Sequence, residues 1–317
     1  MKAKQIISGF MRTVVIFMIL LIPAFAETET PAKSLQITDD FLPSPFLYFN
    51  CSEGDYFFLV EKRGQQFYVM RTTDSTYQVI THYTCSTGKV SGDKNKVGDL
   101  KTPEGIYFIR SEKDPRSLAP IYGAGAYVLD YPNGFDKIFK KNGYGIWIHG
   151  TNEPDRIKNK NDTKGCVVLV NEDFQDLKKY VKLNVTPVLI VNELMFRKKQ
   201  YVQDDKNRIL AFLRKWENSW ETRALDEFMD CYSKKFHSNN MNKKAYKSYK
   251  RRVFKQYKKI DVQINNIQVF SDQEYFVINF YQNYQTELYS DFGIKQLYLI
   301  KEDDQLKILK EVWTKIE

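Results

Sequence analysis

Histidine is scarce in this chain. Three of its 317 residues are His, at 82, 149 and 237, and neither an HExxH nor a CxxC spacing accompanies them. So few imidazoles, so far apart, give no metal site. Gly123-Ala124-Gly125 lacks a following helix and a third glycine, which removes dinucleotide binding, and no cofactor is expected. Apolar runs long enough to span a bilayer are missing, which excludes a multi-span membrane protein. There is no internal repeat and no low-complexity tract. Hydrophobic residues at 43% and charged residues at 27% exclude a disordered tail. What is present is enough chain for two domains, rich in Phe (22) and Tyr (21), which suit strands.

Lys and Arg exceed Asp and Glu, for a net charge of +9. That balance permits nucleic acid, anionic lipid or an anionic polymer as partner. The first 26 residues narrow the choice. Lys2, Lys4 and Arg12 precede an uncharged apolar run at 13–21, and Ala24-Phe25-Ala26 then offers a small-x-small cleavage pattern. This reads as an export signal over 1–26, with an uncleaved anchor as the alternative. The expected location is periplasmic and cell-wall associated, and nucleic acid drops out as a partner. In such a compartment Cys51, Cys85, Cys166 and Cys231 can form disulfides, Cys51 with Cys85 being the favoured pair and inert buried thiols the alternative.

Residues 27–54 read as an arm or linker, polar at first and then apolar around Pro43 and Pro45, and a candidate homodimer contact. Between 55 and 195 strand patterns dominate, at 56–60, 67–71, 77–85, 105–110, 126–130, 145–149, 166–170 and 187–192, separated by turn residues. One helix interrupts them, with Asn171 as its expected cap and Phe174, Leu177 and Val181 on one face. From 196 to 317 the apolar period changes to 3.6: Ile209, Leu213, Trp216 and Trp220 form one stripe, 225–232 a second and 246–260 a third. Four strands follow. The expected fold is a mostly-β domain followed by an α+β domain.

The chemistry concentrates between 143 and 170. Tyr144, Trp147, His149, Gly150 and Thr151 close one strand, and Thr163, Lys164, Gly165 and Cys166 open the next after a polar loop. Adjacent strands lie about 4.8 Å apart, so the imidazole and the thiol can meet if they share a face. A Cys–His pair performs acyl transfer because the imidazole takes the thiol proton and the thiolate attacks a carbonyl. Gly165 allows close backbone approach and N–H groups turned toward an oxyanion. Lys164 can meet a substrate carboxylate or stand as a solvated loop lysine. A buried structural Cys with a loop His remains the alternative at this point.

The pattern His149-Gly150-Thr151, a loop, then Thr163-Lys164-Gly165-Cys166 resembles the L,D-transpeptidase catalytic-domain (YkuD-like) family. Ser86-Thr87-Gly88-Lys89 with Gly98-Asp99 and Thr102-Pro103-Glu104-Gly105 fits a second block of that family, and Tyr122-Gly123 with 129–133 a third. The resemblance implies a β-sandwich-like catalytic domain, Cys166 as nucleophile, His149 as general base and acid, and the Gly150 carbonyl orienting the imidazole. It places Thr151, Thr163, Lys164, Gly165, Tyr144 and Trp147 around the oxyanion and substrate. Many members carry Arg two residues after the Cys; here that residue is Val168. The layout most resembles the helical-cell-shape L,D-carboxypeptidases with an NTF2-like C-terminal domain. The implied substrate is the peptidoglycan stem peptide, trimmed from tetrapeptide to tripeptide through a Cys thioester. A transpeptidase forming 3–3 cross-links is the alternative, and a non-catalytic wall-binding module the second. A depressed Cys166 pKa would favour the enzyme.

Charge divides unevenly, at −1 for 27–195 and +7 for 196–317. Basic residues without any acid crowd 243–259. Lys250, Arg251, Arg252 and Lys255 are the candidate handle for an anionic wall or an acidic glycan, against a plain solvated helix face.

Overall fold

A computed structural model describes residues 41–43, 46–49, 56–72, 77–271 and 275–316. The proposed signal, and Cys51 with its pairing to Cys85, lie outside the described residues. Cys85 itself is fully buried and has no disulfide partner among the described residues.

Eight strands form the first sheet. Their order is Tyr77–Thr84, Gln66–Thr72, Tyr56–Glu61, Pro187–Val191, Gly105–Lys113, Ala126–Leu129, Trp147–His149 and Val167–Val168. Most neighbours run antiparallel. Tyr56–Glu61 with Pro187–Val191, and Trp147–His149 with Val167–Val168, are parallel. The two edges then meet: Ser86 donates to the Val168 carbonyl and Val168 to the Ser86 carbonyl, each at 2.9 Å. The sheet therefore curls round on itself. Alternation along the strands sends Phe58, Val60, Phe67, Val69, Tyr107 and Ile109 inward, where they pack with Ile148, Val167 and Leu169. The expected mostly-β domain is present, more closed than a two-layer sandwich.

Helical period reappears after 198. Helix Lys199–Glu221 buries Ile209, Leu213, Trp216 and Trp220, the stripe legible in the sequence, together with Val202. Short helix Leu225–Asp230 and helix Lys243–Gln256 follow it. They lie with a curled antiparallel sheet ordered Gln305–Lys315, Ser290–Glu302, Phe276–Thr286, Ile260–Ser271 and Phe46–Phe49. The last strand is unexpected. Residues of the arm before the catalytic sheet pair antiparallel with Ile260–Ser271 and extend the second sheet, while Phe41–Pro43 pairs with Phe196–Lys198. The described backbone of the arm, at 41–43 and 46–49, is thus engaged within its own chain.

The second sheet seats on the first domain through side chains. Tyr275 stacks on Phe135 with centroids 3.7 Å apart, and Phe108 meets Phe270 edge-on. Arg110 donates to Asp130 and to Gln296, both at 2.8 Å, so one guanidinium ties the two sheets together. Helix Gly134–Ile138, which periodicity is too short to reveal, carries Phe135 into this contact on an Asn133–Asp136 capping box.

Candidate active site

Strand register builds the site. Ile148 pairs with Val167 and His149 with Val168, so continuing the ladder by one residue sets Cys166 beside Trp147. Side chains alternate along strands and match across a parallel pair, so Cys166 and His149 share a sheet face. The thiol is partly exposed and donates to the Gly145 carbonyl at 3.3 Å.

His149 is 4% exposed, and its Nδ1 lies 2.6 Å from the Gly150 carbonyl oxygen. A carbonyl can only accept, so Nδ1 carries the proton and Nε2 keeps its lone pair. Burial lowers the imidazole pKa to about 4, with the Gly150 contact opposing and the Arg156 cation assisting. Burial likewise raises the Cys166 pKa; the Trp147 amide, Lys94 and Arg156 pull the other way without cancelling it. A depressed thiol pKa, the sign that would favour the enzyme, is therefore not found. Near neutrality the pair is thiol and neutral imidazole, which suits proton removal in step with attack rather than a standing ion pair. The acid limb of a kcat/KM profile that depends on neutral His149 should accordingly fall near pH 4 instead of near the ordinary histidine value. A limb at 6 to 7 would mean that the imidazole is not held in this buried state.

Several residues missed in the sequence hold the pair in place. The Asn171 side-chain oxygen accepts from the Ala124 amide at 2.8 Å and the Thr151 amide at 3.1 Å, clamping the loop after His149. Asn171 therefore does not cap its helix; it is the first helical residue, and Val170 stands at the cap. The clamp leaves no room for a side chain at Gly150, whose Cβ would stand 2.4 Å from that oxygen. Tyr122 meets the His149 ring edge-on and packs on Trp147, both with centroids 4.9 Å apart. Arg156, ion-paired with Asp162 at 3.2 Å, supplies a fixed positive charge. Buried Lys94 is paired with Asp99 at 2.6 Å, and burial of that carboxyl is outweighed by Lys94 and three backbone amides, which hold it far below the usual range.

Other candidates fall elsewhere. The Thr163 and Thr151 hydroxyls are spent inside their loops, Thr163 donating to the Cys166 carbonyl at 2.7 Å and Thr151 accepting from the Glu153 amide at 3.0 Å. Both are buried, so they shape the site and do not face a substrate. The Gly165 amide donates to Thr163 Oγ1 at 3.0 Å, which removes it as an oxyanion donor. Lys164 is exposed, and Tyr144 is 82% exposed beside Gly145. Trp147 is half-buried. Val168 is buried, so no charged group replaces the missing Arg at that position.

The basic helix also needs correction. Lys250 is only 5% exposed, with Nζ 3.7 Å from the Trp220 ring centroid. It lines a cavity of about 440 Å³ inside the cone with Lys295, Glu311, Tyr246 and Trp313. Burial lowers its pKa to about 7 against the pull of Glu311. Spacing held the signal: Tyr246, Lys250 and Phe254 follow one another by four and share the buried face. Arg251, Arg252 and Lys255 are exposed.

Two family models match the chain. The L,D-transpeptidase catalytic domain covers residues 55–190, and the Cds6 C-terminal NTF2-like domain covers residues 208–312. Among solved structures, Bd1075 of Bdellovibrio bacteriovorus is 30% identical with a TM-score of 0.73, over 88% of this chain and 99% of that one. The helical cell shape determining protein Pgp2 of Campylobacter jejuni is 26% identical with a TM-score of 0.67, over 84% of this chain and 94% of that one. No curated protein sequence matches. Fold and site together define a class, two-domain enzymes in which a curled β catalytic domain is followed by an NTF2-like cone. The chain belongs to the L,D-transpeptidase catalytic-domain (YkuD) family, whose L,D-transpeptidases and L,D-carboxypeptidases modify peptidoglycan.

Proposed function

We propose that this is an exported L,D-carboxypeptidase that removes the terminal D-Ala from murein tetrapeptides in the periplasm. The observation that carries the chemistry is the placement of Cys166 and His149 on one sheet face, with His149 Nδ1 held by the Gly150 carbonyl. His149 Nε2 takes the thiol proton as Cys166 Sγ attacks the carbonyl joining the meso-diaminopimelate L-centre to D-Ala. The imidazolium then gives that proton to the leaving D-Ala amine, and a thioester remains. Water, deprotonated by His149, attacks the thioester, and the thiol is restored with release of the tripeptide. Similarity to a helical cell shape determining protein supports a role in cell shape, and with it the preference for trimming over cross-linking.

Wall attraction is assigned to the exposed Arg251, Arg252 and Lys255, with an anionic wall polymer or acidic glycan as partner and Lys250 withdrawn from the set. Exposed charges of this kind act over about a Debye length, roughly 6 Å at 0.3 M salt.

One incubation tests both parts. Purified protein with soluble tetrapeptide muropeptides should yield tripeptides and free D-Ala by mass, and pentapeptides should react poorly. Accumulation of 3–3 dimers would make the chain a transpeptidase, and no product of either kind would leave a wall-binding module. Retention on intact sacculi should fall with Arg251→Gln, Arg252→Gln and Lys255→Gln combined, or with 0.3 M salt, about equally. Retention indifferent to both would reduce this face to ordinary solvated charge.

A further inference from the structure

Cys166 is flanked by four backbone polar groups: the N–H and C=O of Gly165, and its own N–H and C=O. Two buried threonine hydroxyls account for three of them. Thr163 Oγ1 accepts from the Gly165 amide at 3.0 Å and donates to the Cys166 carbonyl at 2.7 Å. Thr102 Oγ1 accepts from the Gly88 amide at 2.8 Å and donates to the Gly165 carbonyl at 3.0 Å. A hydroxyl has one proton, so each role is fixed by the other: the amide it accepts from directs that proton to the carbonyl. Thr102 is fully buried, with no water to compete.

The fourth group is the Cys166 amide. Across a trans peptide the C=O and the N–H point in opposite directions from one plane. Whatever grips the Gly165 carbonyl therefore aims the Cys166 N–H. Gly165 adopts φ +130°, and a Cβ there would stand 2.7 Å from the Lys101 carbonyl oxygen, so the plane rests against residues 101 and 102. We propose that Thr102 is a positioning residue: by holding the Gly165 carbonyl it orients the Cys166 amide as the donor that receives the oxyanion when Cys166 attacks a carbonyl. Thr102 touches no substrate and acts only through this peptide plane. The inference rests on Cys166 being the nucleophile, and it does not depend on which peptide is the substrate.

Two reagents separate aiming from nucleophilicity. p-Nitrophenyl acetate acylates a thiol through a tetrahedral oxyanion and releases p-nitrophenolate. Iodoacetamide alkylates the same sulfur by displacing iodide, and no oxyanion forms. Losing an oxyanion donor outright costs roughly 100- to 1000-fold. Thr102→Val keeps the side-chain shape and misaims the donor without deleting it, so Cys166 acylation should slow by about 10- to 100-fold. Alkylation should stay within about twofold, and Thr102→Ser should restore acylation. On a turned-over muropeptide the same variant should lower kcat and leave KM nearly unchanged. Should Thr102→Val fail to fold with the Gly88 amide unpaired, Thr102→Ala, which leaves room for a water to accept from that amide, is read instead.

Acylation unchanged in the hydroxyl-free variant would overturn the proposal. So would acylation and alkylation falling together, because the hydroxyl would then merely hold the sulfur in place. A split between Thr102→Val and the wild type, with no muropeptide cleaved by the wild type, keeps the proposal and sinks the carboxypeptidase reading. A wild-type protein in which neither reagent marks Cys166 sinks both.

Discussion

Cys166→Ala and His149→Ala should each lower muropeptide turnover by about 10⁴-fold or more, since members of a nucleophile–base pair act as a unit and either loss forfeits most of the shared effect. The two variants should differ in one respect. Cys166→Ala leaves nothing to acylate at any pH. His149→Ala keeps the thiol, whose raised pKa means that alkylation recovers only as the solution becomes strongly alkaline. Neither change removes a large apolar side chain from the sheet interior, so circular dichroism should match the wild type. More than a few per cent of turnover in Cys166→Ala would require another nucleophile. The other described thiols are poor candidates, because Cys85 and Cys231 are buried and burial raises both pKa values.

Gly165→Ala should be nearly as damaging by a different route. The residue sits at φ +130°, where an L side chain costs roughly 1 to 3 kcal/mol, and its Cβ would press on the Lys101 carbonyl and on Ile146. Relief requires rotating the two peptides flanking Gly165, one held by Thr163 at its N–H and the other by Thr102 at its carbonyl. Turnover should fall by about 100-fold or more, as expected when reacting groups are displaced by an ångström. The melting temperature should drop by several degrees, in proportion to the strain. Full activity in Gly165→Ala would mean that the turn before Cys166 can be remade without moving the sulfur.

Much of this site was readable from the chain. Runs of β-favouring residues between turn signals located the strands at 145–149 and 166–170, seen as Trp147–His149 and Val167–Val168. The α+β character of the second half followed from the Ile209–Trp220 stripe. Local pattern could not reveal contacts between distant residues. Phe46–Phe49 has no feature naming Ile260–Ser271 as its partner, and backbone pairing is indifferent to sequence separation. Asn171 reads as a cap by position, and only the fold brings Ala124 and Thr151 to its oxygen. Direction was the other failure. A helix dense in cations looks uniformly solvated until one asks which cation shares a face with Tyr246 and Phe254.

The arm that completes the second sheet bears on how the protein can be divided. A fragment beginning at 196 would carry every helix and long strand of the cone, yet it would leave the Gln268–Phe270 edge of Ile260–Ser271 bare. The edge uncovered there, Gln268–Phe270, offers its unpaired amides and carbonyls to any extended chain in solution, the usual route to edge-to-edge aggregation. A fragment ending at 195 would meanwhile carry Phe41–Pro43 and Phe46–Phe49 with nothing to pair against. The two halves are therefore laced together in the order of synthesis. The ribosome delivers the cone's edge strand first and the rest of its sheet last, so the second domain's sheet is complete only once its final strands have emerged.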